Sequence, residues 1–258
     1  MVYVHNIDPV FLHLGPVEIR YYGLVYVLGF VIAYFLLRYL AKRKKVALSE
    51  DELETFLLYA AVRVLVGSRV FYFLFYNFSI ILENPLQLFK IWEGGMSFHG
   101  GLIGVLIGSF IFCKQYKKDF YELADIVVIP AALGLAFGRI TNFINGELYG
   151  RPTTLPWAVD FGDGIPRHPS QLYESAKNFV ILSVLWLLKE KENLHKGTLF
   201  WTFITLYGTF RFFIEFVREP DSQVGFVLFG IFTMGQILTA IMAITGGLVL
   251  FHWYSKRN

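Results

Sequence analysis

Seven stretches of this chain are apolar over lengths that cross the hydrocarbon core of a bilayer at a rise of about 1.5 Å per residue, and nothing else constrains its fold as strongly. They run from about Tyr21 to Ala41, Leu53 to Tyr76, Met96 to Cys113, Ala124 to Ile144, Gln171 to Leu188, Thr198 to Val217 and Val227 to Tyr254. Lipid offers no partner to a backbone amide, so continuous apolar runs predict helices, whereas a closed β-barrel needs short alternating strands. Composition agrees, because a soluble domain is not usually 55% hydrophobic with 17% charged residues. The expected fold is all-α, a polytopic membrane protein with about seven transmembrane helices and a small outer cap, forming a single transmembrane domain over 1–258.

Lys and Arg in the connections set the expected orientation. Lys42, Arg43, Lys44, Lys45, Lys114, Lys117, Lys118, Lys189, Lys191, Lys196, Lys256 and Arg257 fall in alternate gaps, against Arg20, Lys90, Arg151, Arg167 and Arg218 on the other side. The rule therefore predicts an outer N-terminus and a cytoplasmic C-terminus. The net charge of +3 then reflects topology, and no basic stripe with interleaved aromatics suggests nucleic acid. Trp92, Trp157, Trp201 and Trp253 fall near predicted helix ends, as interfacial anchors do.

Asp8, His13, Pro16 and Glu18 interrupt the first twenty residues, which do not read as a cleavable signal, so the first segment is expected to be a permanent anchor. Cys113 is the sole cysteine and excludes an internal disulfide or a cysteine metal cluster; it reads as a small apolar filler. The connection from Asn145 to Pro169, with Pro152, Pro156, Gly162, Gly164 and Pro166, predicts an irregular cap whose Asp160 and Asp163 face water.

Charged residues at membrane depth are costly and therefore informative. Arg63 and Arg69 lie in the second segment, Arg139 in the fourth, and Arg211 with Glu215 in the sixth. Tyr207, Arg211, Glu215 and Arg218 follow helical spacing and form one polar stripe, which serves a structural ion pair as well as it serves chemistry. In the fourth segment Arg139 and Asn142 share a face, followed by Asn145, Gly146 and Glu147, more polar groups than a helix cap requires.

The third segment opens with Gly100, Gly104 and Gly108 four apart, a spacing that lets another helix approach closely. His99 stands beside them. A partly desolvated histidine near a helix N-terminus stays neutral, the state a general base needs, although a lone histidine also serves simply as a hydrogen-bonding residue. Before the fifth segment, Pro169 reads as a helix start, and Gln171 with Glu174 makes a polar face that capping largely explains.

Together the runs Met96 to Gly104, Gly138 to Arg151, His168 to Glu174, Tyr207 to Asp221 and Met234 to Gln236, with Arg20 to Gly23, closely resemble the lipoprotein diacylglyceryl transferase family across nearly the whole chain. The Gly-Arg-x-x-Asn-Phe-x-Asn-Gly-Glu run from Gly138 to Glu147 is its most specific part. The resemblance implies a multi-pass enzyme of the bacterial cytoplasmic membrane. Its implied partners are phosphatidylglycerol, membrane lipids and the signal peptide of a prolipoprotein, whose lipobox cysteine receives the diacylglyceryl group as glycerol 1-phosphate leaves. The outer cap is short for such a protein, a departure that bears on precursor contacts.

The residue chemistry fits that implication. An arginine fork can hold a lipid phosphate and neutralise the charge that grows on it, which assigns Arg139 and Arg211. A thiol of pKa about 8.5 needs a base or a positive field, which assigns His99. Asn142, Asn145, Glu147, Glu215 and Arg218 are expected to orient or bind substrate, and Tyr22 and Tyr207 to donate to phosphate or glycerol. The chemistry requires no metal or nucleotide cofactor. Buried arginines also mark transporters of anionic substrates, but transport predicts polar residues through the full membrane thickness and related halves, and no repeat is visible.

Overall fold

The computed structural model describes residues 2–15, 17–44, 46–90, 94–219 and 225–256. Pro16, Lys45, Trp92, Asp221 and Arg257, named above, lie outside the described residues. The described chain divides into two compact units, residues 34–123 and residues 1–33 with 124–258.

In the unit 34–123, the last turns of α1 (Tyr21–Arg43) join α2 (Glu50–Tyr76), the short α3 (Phe78–Glu83), a 3₁₀ turn at Pro85–Phe89, and α4 (Phe98–Gln115). A capping box starts α2: the Ser49 side chain accepts from the Glu52 N–H, and Glu52 accepts from the Ser49 N–H. The predicted close approach occurs between α2 and α4. A Cβ on Gly104 would press into the Arg63 carbonyl, and one on Gly67 would lie 2.9 Å from the Gly104 Cα. Phe56 and Phe112 fill the core edge to face with centroids 5.3 Å apart, and Cys113 is buried beside them in sequence, as expected of a filler.

Arg69 has a structural task in this unit. Its guanidinium donates to the carbonyls of Leu88 at 3.2 Å, Gln87 at 2.7 Å, Lys90 at 2.6 Å, Gly95 at 3.2 Å and also Gly94, while lying 4.8 Å from the centre of the Phe73 ring. Five carbonyls, all from the segment between α3 and α4, account for this intramembrane arginine.

The other unit holds the first part of α1 with α5 (Phe120–Ile144) from Ala124 onward, α6 (Ser170–Leu188), α7 (Thr198–Ile214) and α8 (Met234–Ser255). Helices α7 and α8 touch backbone to backbone, since a Cβ on Gly208 would lie 2.6 Å from the Thr239 carbonyl. The Ser175 hydroxyl ties α6 to α5 by donating to the Ala136 carbonyl at 3.0 Å.

Short strands form the cap of this unit. The pair β2 (Val10–Leu14) and β3 (Val17–Arg20) is an antiparallel hairpin, and β1 (Tyr3–Val4) runs parallel to β4 (Val159–Asp160), which pairs in turn with β5 (Pro166–Arg167). Asp160 accepts from the amides of Gly162 at 2.9 Å and Gly164 at 3.0 Å. Asp163 is exposed, as expected, whereas Asp160, which builds the turn, is half-buried. The Arg167 hydrogen bond holds the Asp163 carboxyl below the usual carboxylate range, and burial lowers the His168 pKa.

Among the described residues, seven helices of at least 17 residues occupy the predicted places. Four of them, α1, α2, α5 and α8, are long and apolar enough to cross a membrane. The final helix starts at Met234 rather than Val227, because the apolar residues before it form a hairpin of β6 (Phe226–Leu228) and β7 (Phe232–Thr233). The turn places Phe229 and Gly230 in the left-handed region, and Thr233 caps α8. Helix α7 stops at Ile214, short of the expected Val217.

Candidate active site

The C-terminal end of α5 begins the site. Gly146, at φ +67°, reverses the chain there and sends Glu147 back toward the helix it follows. Asn142 Nδ2 donates to Glu147 Oε1 at 2.7 Å and Asn145 Nδ2 to the same oxygen at 3.4 Å, while Arg139 Nη1 donates to Asn142 Oδ1 at 3.4 Å. Helix α6 locks this turn through Gln171 Nε2, which donates to the Glu147 carbonyl at 2.7 Å, and the Ser170 hydroxyl, which donates to the Leu148 carbonyl at 3.0 Å.

One carboxylate connects α5, α6 and α7. Glu174, only 2% exposed, stands 3.8 Å from Arg139 Nε, 2.9 Å from Arg211 Nη1 and 2.6 Å from Lys177 Nζ. Arg211 also meets Glu215 at 2.6 Å, one turn along α7, and Glu215 Oε1 accepts from the Thr233 hydroxyl at 3.0 Å. The Lys177 ammonium lies 3.9 Å from the centre of the Tyr207 ring, a cation–π contact.

The directly touching charges are three cations, Arg139, Lys177 and Arg211, and two carboxylates, Glu174 and Glu215. One positive charge is left over among them. Removed from bulk water, such an excess favours a bound monoanion of phosphodiester type, and the two guanidiniums supply planar forks suited to its oxygens.

The structure thus brings together Arg139, Asn142, Asn145, Glu147, Tyr207, Arg211 and Glu215, as the sequence suggested. Tyr22, whose hydroxyl is 3.2 Å from that of Tyr26, lies within electrostatic reach of Glu147 and Arg139. Arg218 is connected differently. Its backbone forms a bridge with Gly150, its carbonyl accepts from Arg151 Nε at 2.8 Å, and its charge reaches Tyr207. His99 occupies the first turn of α4, in the other unit, and its side chain lies outside the described part of the structure.

Two central residues escaped the sequence reading. In the sequence Glu174 reads as part of a capping face, and Lys177 carries no expectation. The signal was available, since Lys177 is a charge seven residues inside an apolar segment, and the rule that drew attention to the arginines applies to it equally.

A family model for prolipoprotein diacylglyceryl transferase matches residues 9–253. Curated relatives carry the name phosphatidylglycerol–prolipoprotein diacylglyceryl transferase. One from Geobacter sulfurreducens is 49% identical over 243 residues, covering 93% of this chain and 93% of the relative. A relative from Legionella pneumophila is 45% identical and covers 98% of each chain, and one from Coxiella burnetii is 45% identical over 100% of this chain and 99% of its own. A match of this extent, over a chain whose most specific motif builds the charged cluster, shows that the protein belongs to the prolipoprotein diacylglyceryl transferase family.

Proposed function

We propose that this protein transfers the diacylglyceryl group of phosphatidylglycerol to the lipobox cysteine of a prolipoprotein and releases glycerol 1-phosphate. The observation that carries this reading is the excess positive charge of Arg139, Lys177 and Arg211 around Glu174 and Glu215. The three relatives are all named as transferases, which leaves the transport alternative without support.

In this reaction the cysteine sulfur attacks the glycerol carbon that bears the phosphate oxygen. A C–S bond forms, the C–O bond breaks, and its electrons stay on the departing phosphate, which becomes a monoester. Arg139 and Arg211 bind the phosphate and stabilise the charge that grows on it; Asn142 and Glu147 orient Arg139, and Glu174 and Glu215 orient Arg211. Lipid and signal peptide are held together, so the encounter becomes effectively intramolecular. His99 is the candidate acceptor for the thiol proton on its chemistry alone, and Tyr22, Tyr207, Asn145 and Arg218 are assigned to substrate contacts. The protein is a multi-pass membrane protein; its home is proposed to be the bacterial cytoplasmic membrane, with the N-terminus outside.

Incubating the purified protein with labelled phosphatidylglycerol and a lipobox peptide tests this function. A thioether-linked diacylglyceryl peptide is the expected product, and absence of label on the peptide overturns the assignment.

A further inference from the structure

Gln236 occupies the first turn of α8 and is 1% exposed. Its Oε1 accepts from the Thr233 N–H at 3.0 Å, and its own N–H donates to Thr233 Oγ1 at 3.3 Å. The acceptor side of the amide is thereby fixed, because a backbone N–H can only be met by the oxygen. The amide nitrogen Nε2 is then left buried with no hydrogen-bond partner.

The same Thr233 hydroxyl donates to Glu215 Oε1, so Gln236 and Glu215 are tied to one side chain. Gly235 is what lets the carboxylate settle on this helix start, since a Cβ there would lie 2.8 Å from Glu215 Oε1. The second oxygen, Oε2, contacts Arg211 Nη1 at 2.6 Å but has no aligned hydrogen bond. A buried donor without a hydrogen-bond partner, Gln236 Nε2, is therefore tied through Thr233 to the carboxylate that pairs with Arg211, and leaving it unmet is costly.

We infer that Gln236 Nε2 donates to a headgroup hydroxyl of the donor lipid and so reads its polyol. This rests on the phosphate-binding reading of Arg139 and Arg211. A hydroxyl is a headgroup function that satisfies this group, since it accepts from the amide. An ethanolamine ammonium offers nothing to Nε2 and adds a cation where positive charge is already in excess; a choline headgroup offers neither a donor nor an acceptor. Glycerol esterified to a phosphate held by Arg211 carries hydroxyls a few bonds away. The subsite thus selects the alcohol of the leaving group and leaves the acyl chains unread.

The test compares phosphatidylglycerol with phosphatidylpropanol, which has the same phosphodiester charge and no headgroup hydroxyl. The wild-type protein should prefer phosphatidylglycerol at least about tenfold in kcat/KM, because a site built for a hydroxyl strongly rejects the analogue lacking it. Gln236→Glu retains the oxygen that caps α8 and removes the donor, and the preference should fall to within about twofold. Its added charge weakens both lipids alike, so the ratio isolates the hydroxyl. Gln236→Leu is the second variant and should give the same ratio, with the Thr233 hydroxyl still accepting from the backbone.

Competition of each lipid against labelled phosphatidylglycerol on the purified protein reads the same ratio without turnover, so failure of the transfer reaction is distinguishable from failure of the subsite. Equal handling of the two lipids by wild type overturns the inference. So does a preference that survives Gln236→Glu, the result expected if the orphaned amide meets only water.

Discussion

Arg211 Nη1 lies 2.9 Å from Glu174 Oε1, so the arginine of α7 is held by a carboxylate from α6 as well as by Glu215 on its own helix. Helical spacing alone suggested a pair; the structure contains a network with Glu174 at its centre. That difference changes what a mutation does, because members of one network do not act additively.

Arg211→Gln and the Arg211→Gln/Glu215→Gln double variant should be comparably inactive, both at normal membrane abundance. A simple ion pair predicts partial rescue when both charges are removed. Turnover assays at matched protein levels separate the two outcomes, and recovery in the double variant removes Arg211 from the phosphate site.

Glu174→Gln leaves Lys177 and Arg139 without their carboxylate and Arg211 with Glu215 alone. Breaking a buried pair on one side typically costs about 3–5 kcal/mol, so thermal stability in detergent should drop markedly. Glu174→Gln/Lys177→Met should regain part of the loss, because it also removes the cation 2.6 Å away. If the double variant is no more stable than the single one, Lys177 is not coupled to Glu174 in the way the geometry implies.

The places of the long helices were legible because apolar runs bounded by polar gaps leave few alternatives. The last one was misjudged over Val227 to Thr233, since a hairpin in apolar residues and the start of an apolar helix look alike to periodicity. Thr233 and Gln236, three apart, are the helix-start signal within that run. In the site, Arg139, Arg211 and Glu215 are legible because charge at membrane depth demands an explanation, and Asn142 and Glu147 because they add more polar groups than a helix cap requires. Glu174 and Lys177 carry the same signal, charge in an apolar segment at i,i+3 spacing, but the links of Glu174 to Arg139 on α5 and Arg211 on α7 are contacts that spacing within one helix cannot express. Arg69 shows the converse: a conspicuous intramembrane arginine whose partners are backbone carbonyls.

Gly104→Leu should lower abundance and thermal stability without altering the chemistry of whatever protein folds. The new side chain would drive into the Arg63 carbonyl on α2, and overpacking of this kind costs about 1–3 kcal/mol or more. Wild-type melting behaviour in this variant would contradict the close approach of α2 and α4.

His99→Asn should reduce transfer near neutral pH and recover part of it as pH rises toward the thiol pKa of about 8.5, where the nucleophile ionises unaided. A pH–rate profile that is lowered uniformly, with no recovery, assigns His99 a structural role.

The most direct test measures thioether formation and glycerol 1-phosphate release together, for the wild-type protein and for Arg139→Ala at equal membrane abundance. The wild type should yield the two products one to one, and Arg139→Ala should lose at least about a hundredfold in rate, because its guanidinium stabilises charge on the departing phosphate. Arg139→Lys should not restore it, since an ammonium lacks the planar fork. Near-normal turnover by Arg139→Ala would contradict the account.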